Sequence, residues 1–251
     1  MGEDPALASA MVVPYVKGVQ EQGVAACVKH FALNNQELHR HTTNVIVSDR
    51  ALNEIYLPAF RAAVEEGGAW AIMGAYNLFD NEHCCHKSRL SRILKEDWDF
   101  DGVLISDWGG THDTEQAIIN GLDMEFGTWT DGLMVGKGNA YDKFHLAQPY
   151  LERLRSGEAS EDVLDGKVRR VLRLMMRTCM SGIGAESIVL LKNEGNLLPL
   201  HHRRILVVGE NAVRKMTVGG GSSSLKTKYE VSPLDGLRAA LPDAEIVYVP
   251  G

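Results

Sequence analysis

Behind Asp4 and Pro5, apolar residues fall at helical spacing at Leu7, Met11, Tyr15, Val16 and Val19, which predicts an opening helix with Asp4 as N-cap. Pro14 lacks an N–H and crowds the preceding turn, so a kink or break is expected there. Gly23 releases the chain into Val24–Phe31, a strand-sized apolar run. Ser48 then caps a helix through Leu52 and Ile55, which Pro58 interrupts and restarts before Gly67-Gly68 ends it. Ala69–Tyr76 reads as a strand, Ser88–Trp98 as a helix with Leu90, Ile93 and Leu94 on one face, and Val103-Leu104-Ile105 as a strand entered through Asp99-Phe100-Asp101-Gly102. Leu122–Phe126 is a fourth strand candidate. Continuous rather than alternating apolarity is what a parallel strand covered on both faces requires, and repeated strand, loop and helix units predict a parallel α/β architecture.

Residues 139–180 read as two helices, the second capped by Ser160. Its apolar face carries Val163, Leu164, Val168, Val171, Leu172 and Met175, with Lys and Arg on a face expected to be solvated. From Ser181-Gly182 a second set of units begins: Ser187–Leu191, Ile205–Gly209, a helix near Leu234–Leu241, and Glu245–Val249. A boundary near residue 182 divides the chain into 1–181 and 182–251.

The chain has 251 residues, of which 45% are hydrophobic and 24% charged, with a net charge of −7; this balance describes a globular chain and argues against a nucleic-acid partner. Its apolar runs are strand-sized and residues 1–20 have no leader pattern, so no membrane segment is expected and the chain reads as cytoplasmic as it stands. Cys27, Cys84, Cys85 and Cys179 fit no zinc spacing, and bridging the adjacent pair would strain the ring, so free thiols are expected.

Three strand candidates end in polar residues that can converge on one pocket: Lys29-His30, Tyr76-Asn77 and Ser106-Asp107-Trp108. In a (β/α)₈ barrel, chemistry sits at the C-terminal ends of the strands. A pyranoside needs charged and neutral hydrogen-bond partners and an aromatic face, functions that Lys29, His30 and Trp108 carry; Asp107 is a carboxylate suited to attack or stabilise an anomeric carbon. Taken singly, each residue also has an ordinary reading as a strand end, a helix cap or a packing ring.

Their order adds weight. Lys29-His30-Phe31 with Asn34 and Glu37, Ser48-Asp49-Arg50-Ala51-Leu52 through Tyr56-Leu57-Pro58, Met73-Gly74-Ala75-Tyr76-Asn77, and Phe100-Asp101-Gly102 through Ser106-Asp107-Trp108-Gly109 resemble family 3 glycoside hydrolases. Glu186-Ser187-Ile188-Val189-Leu190-Leu191-Lys192-Asn193 and Leu197-Leu198-Pro199-Leu200 are similar to the start of that family's second domain. The resemblance implies an α/β chain: a partial (β/α)₈ TIM-type barrel followed by the beginning of an α/β sandwich. It implies Asp107 as nucleophile, Trp108 as a sugar platform, Lys29 and His30 as hydroxyl ligands, and Met73 and Tyr76 as pocket residues. The Lys29–Asn34 segment is similar to the β-glucosidase and β-xylosidase branch, which implies a neutral β-glycoside as small-molecule partner and no cofactor or metal.

Three departures accompany it. Family barrels begin upstream of Glu3-Asp4-Pro5, so open strand edges and uncovered apolar faces are expected. The linker at Thr178–Gly184 is short. The family's general acid/base lies beyond Gly251, and none of Glu186, Glu194, Glu210, Glu230 or Glu245 matches its position. A binding protein without turnover is therefore the competing reading. Nucleotide binding is a weaker one, since neither Ile205–Gly209 nor Gly219-Gly220-Gly221-Ser222-Ser223-Ser224 has phosphate-loop spacing.

Overall fold

The computed structural model describes residues 2–127, 144–178, 193–194, 200, 204–215 and 230–250. Cys179, the 186–191 segment and the Gly219–Ser224 stretch lie outside them. Two compact units divide the chain, one containing the described residues up to 178 and the other those from 193 onward.

The first unit opens with α1 (Pro5–Gln20), whose first turn is closed by the Asp4 carboxylate accepting the N–H groups of Ala6 at 2.8 Å and Leu7 at 3.1 Å. The helix runs through Pro14 without a break, contrary to one alternative raised by the sequence. On either side of the proline, Val12 and Val16 are buried against Ala62, Ala63 and Ala69, and this packing holds the helix together across the missing hydrogen bond. After β1 (Cys27–Phe31) and the short β2 (Asn44–Val45), Ser48 caps α2 (Asp49–Ala51). A π-helical turn, Leu52–Tyr56, then leads to α3 (Pro58–Glu65), the interruption and restart expected at Pro58. The chain continues through β3 (Ala71–Gly74), the hairpin β4 (Leu78–Phe79) and β5 (Glu82–His83), α4 (Ser88–Arg92) with a second π-helical turn, and β6 (Val103–Ile105). Helices α5 (Thr114–Ile119), α6 (Gln148–Ser156) and α7 (Glu161–Arg177) complete the unit.

Strands β1, β3 and β6 form a parallel sheet in that order, with Cys27 opposite Ala71, Ala71 opposite Val103, and Met73 opposite Ile105. Ile72 and Leu104 point to one face, where Phe31, Leu52, Phe79, Leu90, Leu94, Phe100 and Leu122 close the main core. Phe31 meets Phe60 and Trp98 edge-on, with centroids 5.2 and 5.9 Å away. Met73, Val103 and Ile105 point to the other face, against Trp108, Met124, Phe126, Val171 and Leu174. The sheet thus has apolar cover on both faces, as its continuous hydrophobic strands require. The expected fourth strand is reduced to one parallel bridge, Ile105 to Met124. Asp123 and Glu125 interrupt that run, and their carboxylates turn inward to other partners.

Helix α7 departs in part from its expected orientation. Lys167, on the face expected to be solvated, is buried and donates to the carbonyls of Ala117 and Leu122, while Arg170 donates to Asp123. Of the expected apolar face, Val163, Val168, Leu172 and Met175 are exposed, Leu164 is half-buried and Val171 packs against β3 and β6. Helical periodicity identifies two faces; a buried carboxylate and two free carbonyls decide which one turns inward.

In the second unit, β7 (Arg204–Val208) and β8 (Glu245–Val249) pair in parallel through five residues each, and α8 (Pro233–Ala240) lies between them in sequence, capped by Ser232. Glu245 is paired with Arg204 at 3.0 Å. Among the described residues no helix is long and apolar enough to cross a membrane.

Candidate active site

Asp107 lies two residues beyond β6, at the C-terminal end of the parallel sheet, and is buried. Its carboxylate accepts the backbone N–H of Trp108 at Oδ1, 2.9 Å away, and His30 Nε2 lies 3.2 Å from Oδ2. Tyr76 directs its hydroxyl toward the same carboxylate; burial first, and the Asp107 charge second, push this phenol well above its ordinary pKa, so it remains a donor. Burial lowers the pKa of His30, against the opposing pull of Asp107, so the imidazole is favoured as a neutral donor through Nε2. Three strand ends thereby converge on one carboxylate: β1 brings His30, β3 brings Tyr76 and β6 brings Asp107 itself.

The other expected residues occupy different positions around this centre. Met73 is buried on the same sheet face as Ile105, packed with Trp108. Trp108 is half-buried, its ring 4.8 Å from that of Phe126. Lys29, on the outer strand of the sheet, is exposed and forms no ion pair among the described residues.

Two further residues stand next to Tyr76. Arg40 lays its guanidinium 4.6 Å above the phenol ring and is held by Glu37 at 2.8 Å, while His41 meets the ring edge with centroids 4.2 Å apart. The Glu37–Arg40 spacing was the only sequence signal for the first, and His41 had none.

The loop carrying Asp107 is bolted down on two sides. Ser106 donates its N–H to the Met124 carbonyl at 2.9 Å and its hydroxyl accepts the Phe126 N–H at 2.8 Å; Gly109, at φ +71°, donates to the carbonyls of Phe126 and Gly127. Behind the loop sits Cys85, fully buried, its thiol 3.3 Å from the Ala75 carbonyl. A Cβ at Gly110 would lie 2.7 Å from that sulfur, and one at Gly74 would lie 2.8 Å from the Cys85 Cα. The expectation of free thiols holds for Cys27, Cys84 and Cys85. Burial pushes Cys84 up to about 12 and Cys85 higher still, which keeps both as thiols.

One neighbouring carboxyl is perturbed. Glu125 Oε2 accepts the Leu146 N–H at 2.8 Å, Oε1 is buried without a hydrogen-bond partner, and burial pushes the acid up to about 7. Among the described residues no group of three or more His, Cys, Asp or Glu side chains is arranged to hold a metal ion.

A parallel α/β sheet presenting a buried carboxylate at its C-terminal end, with an imidazole, a phenol and an indole around it, has close counterparts among known proteins. Residues 1–174 match the glycosyl hydrolase family 3 N terminal domain and residues 188–247 the C-terminal domain of that family. The chain belongs to glycosyl hydrolase family 3. Over its whole length it is 49% identical to a β-glucosidase of Bacteroides ovatus, and over 96% of its length it is 37% identical to one from Rhizobium radiobacter. It spans 37% and 31% of those two proteins. Among solved structures, the β-glucosidase of Kluyveromyces marxianus in complex with glucose superposes with a TM-score of 0.61 at 36% identity, covering 100% of this chain and 32% of that one. β-Glucosidase 3B from Thermotoga neapolitana in complex with α-D-glucose does so with a TM-score of 0.65 at 32% identity, covering 97% and 36%. The fold is α/β, with the first unit forming part of a TIM-type barrel.

Proposed function

We propose that this chain carries the nucleophile half of a retaining β-glucosidase site, acting on terminal, non-reducing β-D-glucosidic bonds of a small glycoside or oligosaccharide. The observation that carries the proposal is the convergence on Asp107. A buried carboxylate at a strand end is held by the Trp108 N–H and His30, with the Tyr76 hydroxyl aimed at it, so one oxygen can be presented to an anomeric carbon without rearrangement. The similarity to β-glucosidases supports glucose as the sugar. Lys29 and His30 bind its hydroxyls, Trp108 offers a stacking face, and Met73 and Tyr76 shape the wall. Residues 1–181 correspond in this reading to the C-terminal part of the barrel domain and 182–251 to the start of the sandwich domain.

In the first step an Asp107 oxygen bonds to C1 as the bond from C1 to the leaving oxygen breaks, its electron pair departing with the aglycone. In the second, a water oxygen bonds to C1 as the bond from C1 to Asp107 breaks, its electron pair returning to the carboxylate and the surplus proton of the water passing to solvent. A retaining pair requires a second carboxyl group about 5–5.5 Å away to protonate the leaving oxygen, and no glutamate of this chain is assigned to that role. Leaving groups that depart without a proton should therefore react far better than natural glycosides, by about 10²–10⁴-fold.

The test is to incubate the chain with a 2-deoxy-2-fluoro-β-glucoside bearing a dinitrophenolate leaving group and to record intact mass. One fluoroglucosyl adduct, mapped to Asp107 and absent from Asp107→Asn, is expected. A folded chain that binds glucose but forms no adduct would instead be a sugar-binding protein without turnover.

A further inference from the structure

Three histidines beside the site have no part in the chemistry so far described. His83, on β5, and His112, five residues after Asp107, stack face to face with centroids 3.7 Å apart and planes 18° from parallel. Both residues are half-buried. The pair is fixed from beneath. His83 Nδ1 lies 3.1 Å from the Tyr76 carbonyl, and the His112 N–H donates to Nε2 of buried His86 at 3.3 Å. His86 is anchored in turn by Asn120, whose amide donates to the His86 carbonyl at 2.8 Å.

The mounting of β5 is equally definite. Strands β4 and β5 are joined by Asp80-Asn81, both at positive φ, the conformation of a two-residue hairpin turn. The Asn81 N–H donates to the Asn44 side chain at 2.8 Å, and the Asn44 amide donates to Asn81 at 2.9 Å. The two-ring stack thus joins the nucleophile's own loop, which carries His112, to a pinned hairpin whose His83 contacts the Tyr76 carbonyl. His41 links the groups: its ring touches Tyr76, and it lies within electrostatic range of both Asp107 and His83.

Neutral stacked imidazoles offer a flat, weakly polar surface with ring nitrogens at its rim. Burial and mutual repulsion lower His112 to about 4, and burial lowers His83, so the stack is uncharged at neutral pH. Such a surface suits a ring placed against it, as an aryl group or a second sugar would be, and has little to offer an anion. Resting on the proposed role of Asp107, we infer that the His83–His112 stack is the platform for the leaving group of the glycoside, favouring aglycones that present a ring.

The experiment compares two trapping reagents that deposit the same fluoroglucosyl group on Asp107 and differ only in what departs: 2-deoxy-2-fluoro-β-glucosyl fluoride and the corresponding 2,4-dinitrophenyl glycoside. The readout is the ratio of their second-order trapping rates, aryl over fluoride. His112→Ala should lower that ratio about fivefold, the size of one aromatic stacking contact, whereas His112→Phe, which keeps a flat ring and checks that the loop still folds, should hold it within twofold. An unchanged ratio in His112→Ala, with adduct forming normally, would overturn the platform and leave the nucleophile in place. Absence of adduct from either reagent in the folded parent chain would overturn both.

Discussion

Replacing Asp123 by alanine should cost the first unit about 3 kcal/mol. The carboxylate has 0% side-chain exposure and three donors: Lys95 Nζ at 2.7 Å, Arg170 Nε at 2.7 Å and the Leu104 N–H at 2.8 Å. Deleting one partner of a buried charge network typically costs about 3–5 kcal/mol, because the remaining charges stay where they cannot be solvated. Here Lys95 and Arg170 keep 15% and 25% exposure and can turn partly to water, which places the expected loss at the lower end. For a unit of this size, 3 kcal/mol corresponds to a fall of about 6–12 °C in melting temperature. Trp70, Trp98, Trp108 and Trp129 all precede residue 182, so tryptophan fluorescence during urea or thermal unfolding reports this unit. The loss should persist in 0.5 M salt, since screening acts chiefly on exposed pairs. A change below about 1 kcal/mol, or one abolished by salt, would refute the reasoning. The same substitution should slow trapping at Asp107, because Asp123 and Met124 both bond to Leu104 and Met124 supports Ser106.

Gly110→Ala should slow fluoroglucoside trapping and destabilise the first unit by about 1–3 kcal/mol, since its methyl would meet the Cys85 sulfur; unfolding and trapping rates measured together check it, and unaltered values in both would sink it. Stability against pH should show two opposed contributions. Glu125, raised from 4.5 to about 7, contributes stability that is complete below pH 4.5 and lost as pH rises through about 7. His86, lowered from 6.5 to about 4, contributes stability present above pH 6.5 and lost as pH falls through about 4. Urea titrations from pH 4 to 9 should therefore find that Glu125→Gln removes a decline lying between pH 4.5 and about 7 and leaves the His86 contribution in place, and a decline of unchanged slope there would rule out Glu125 as its source.

The long elements were legible because burial imposes a period on the sequence. β1, β3 and β6 lie inside their expected apolar runs, and Asp4, Ser48 and Ser160 cap the helices they were expected to cap. Asp107 drew attention through the order of the motifs around it, since a carboxylate after a strand has an ordinary reading as a helix cap; the structure places it buried just beyond β6. The small sheet of β2, β4 and β5 left almost no trace: its strands are two residues long, too short for alternation to register, and its turn uses Asp80-Asn81 in place of the stronger Asn-Gly signal. The inward face of α7 was read only in part: Val171 packs inward as expected, but Lys167 and Arg170 turn inward beside it because Asp123, which draws Arg170, and the carbonyls that take Lys167 are more than forty positions away. Arg40, His41 and the imidazole stack were missed for a related reason, since their partners are rings brought together by the strand ends.

Cys85 has a consequence for how this sequence can change over evolutionary time. Its backbone blocks any side chain at Gly74, so that glycine is required whatever residue occupies position 85. At Gly110 the sulfur is the main obstruction, and the Asp107 carbonyl at 3.2 Å is a second, milder one. Positions 85 and 110 therefore share one volume: alanine at 85 makes room for a methyl at 110, and a thiol at 85 excludes it. Drift at these two sites should be correlated while Gly74 stays fixed, and a thiol-free version of the site is reached most easily by changing the pair together.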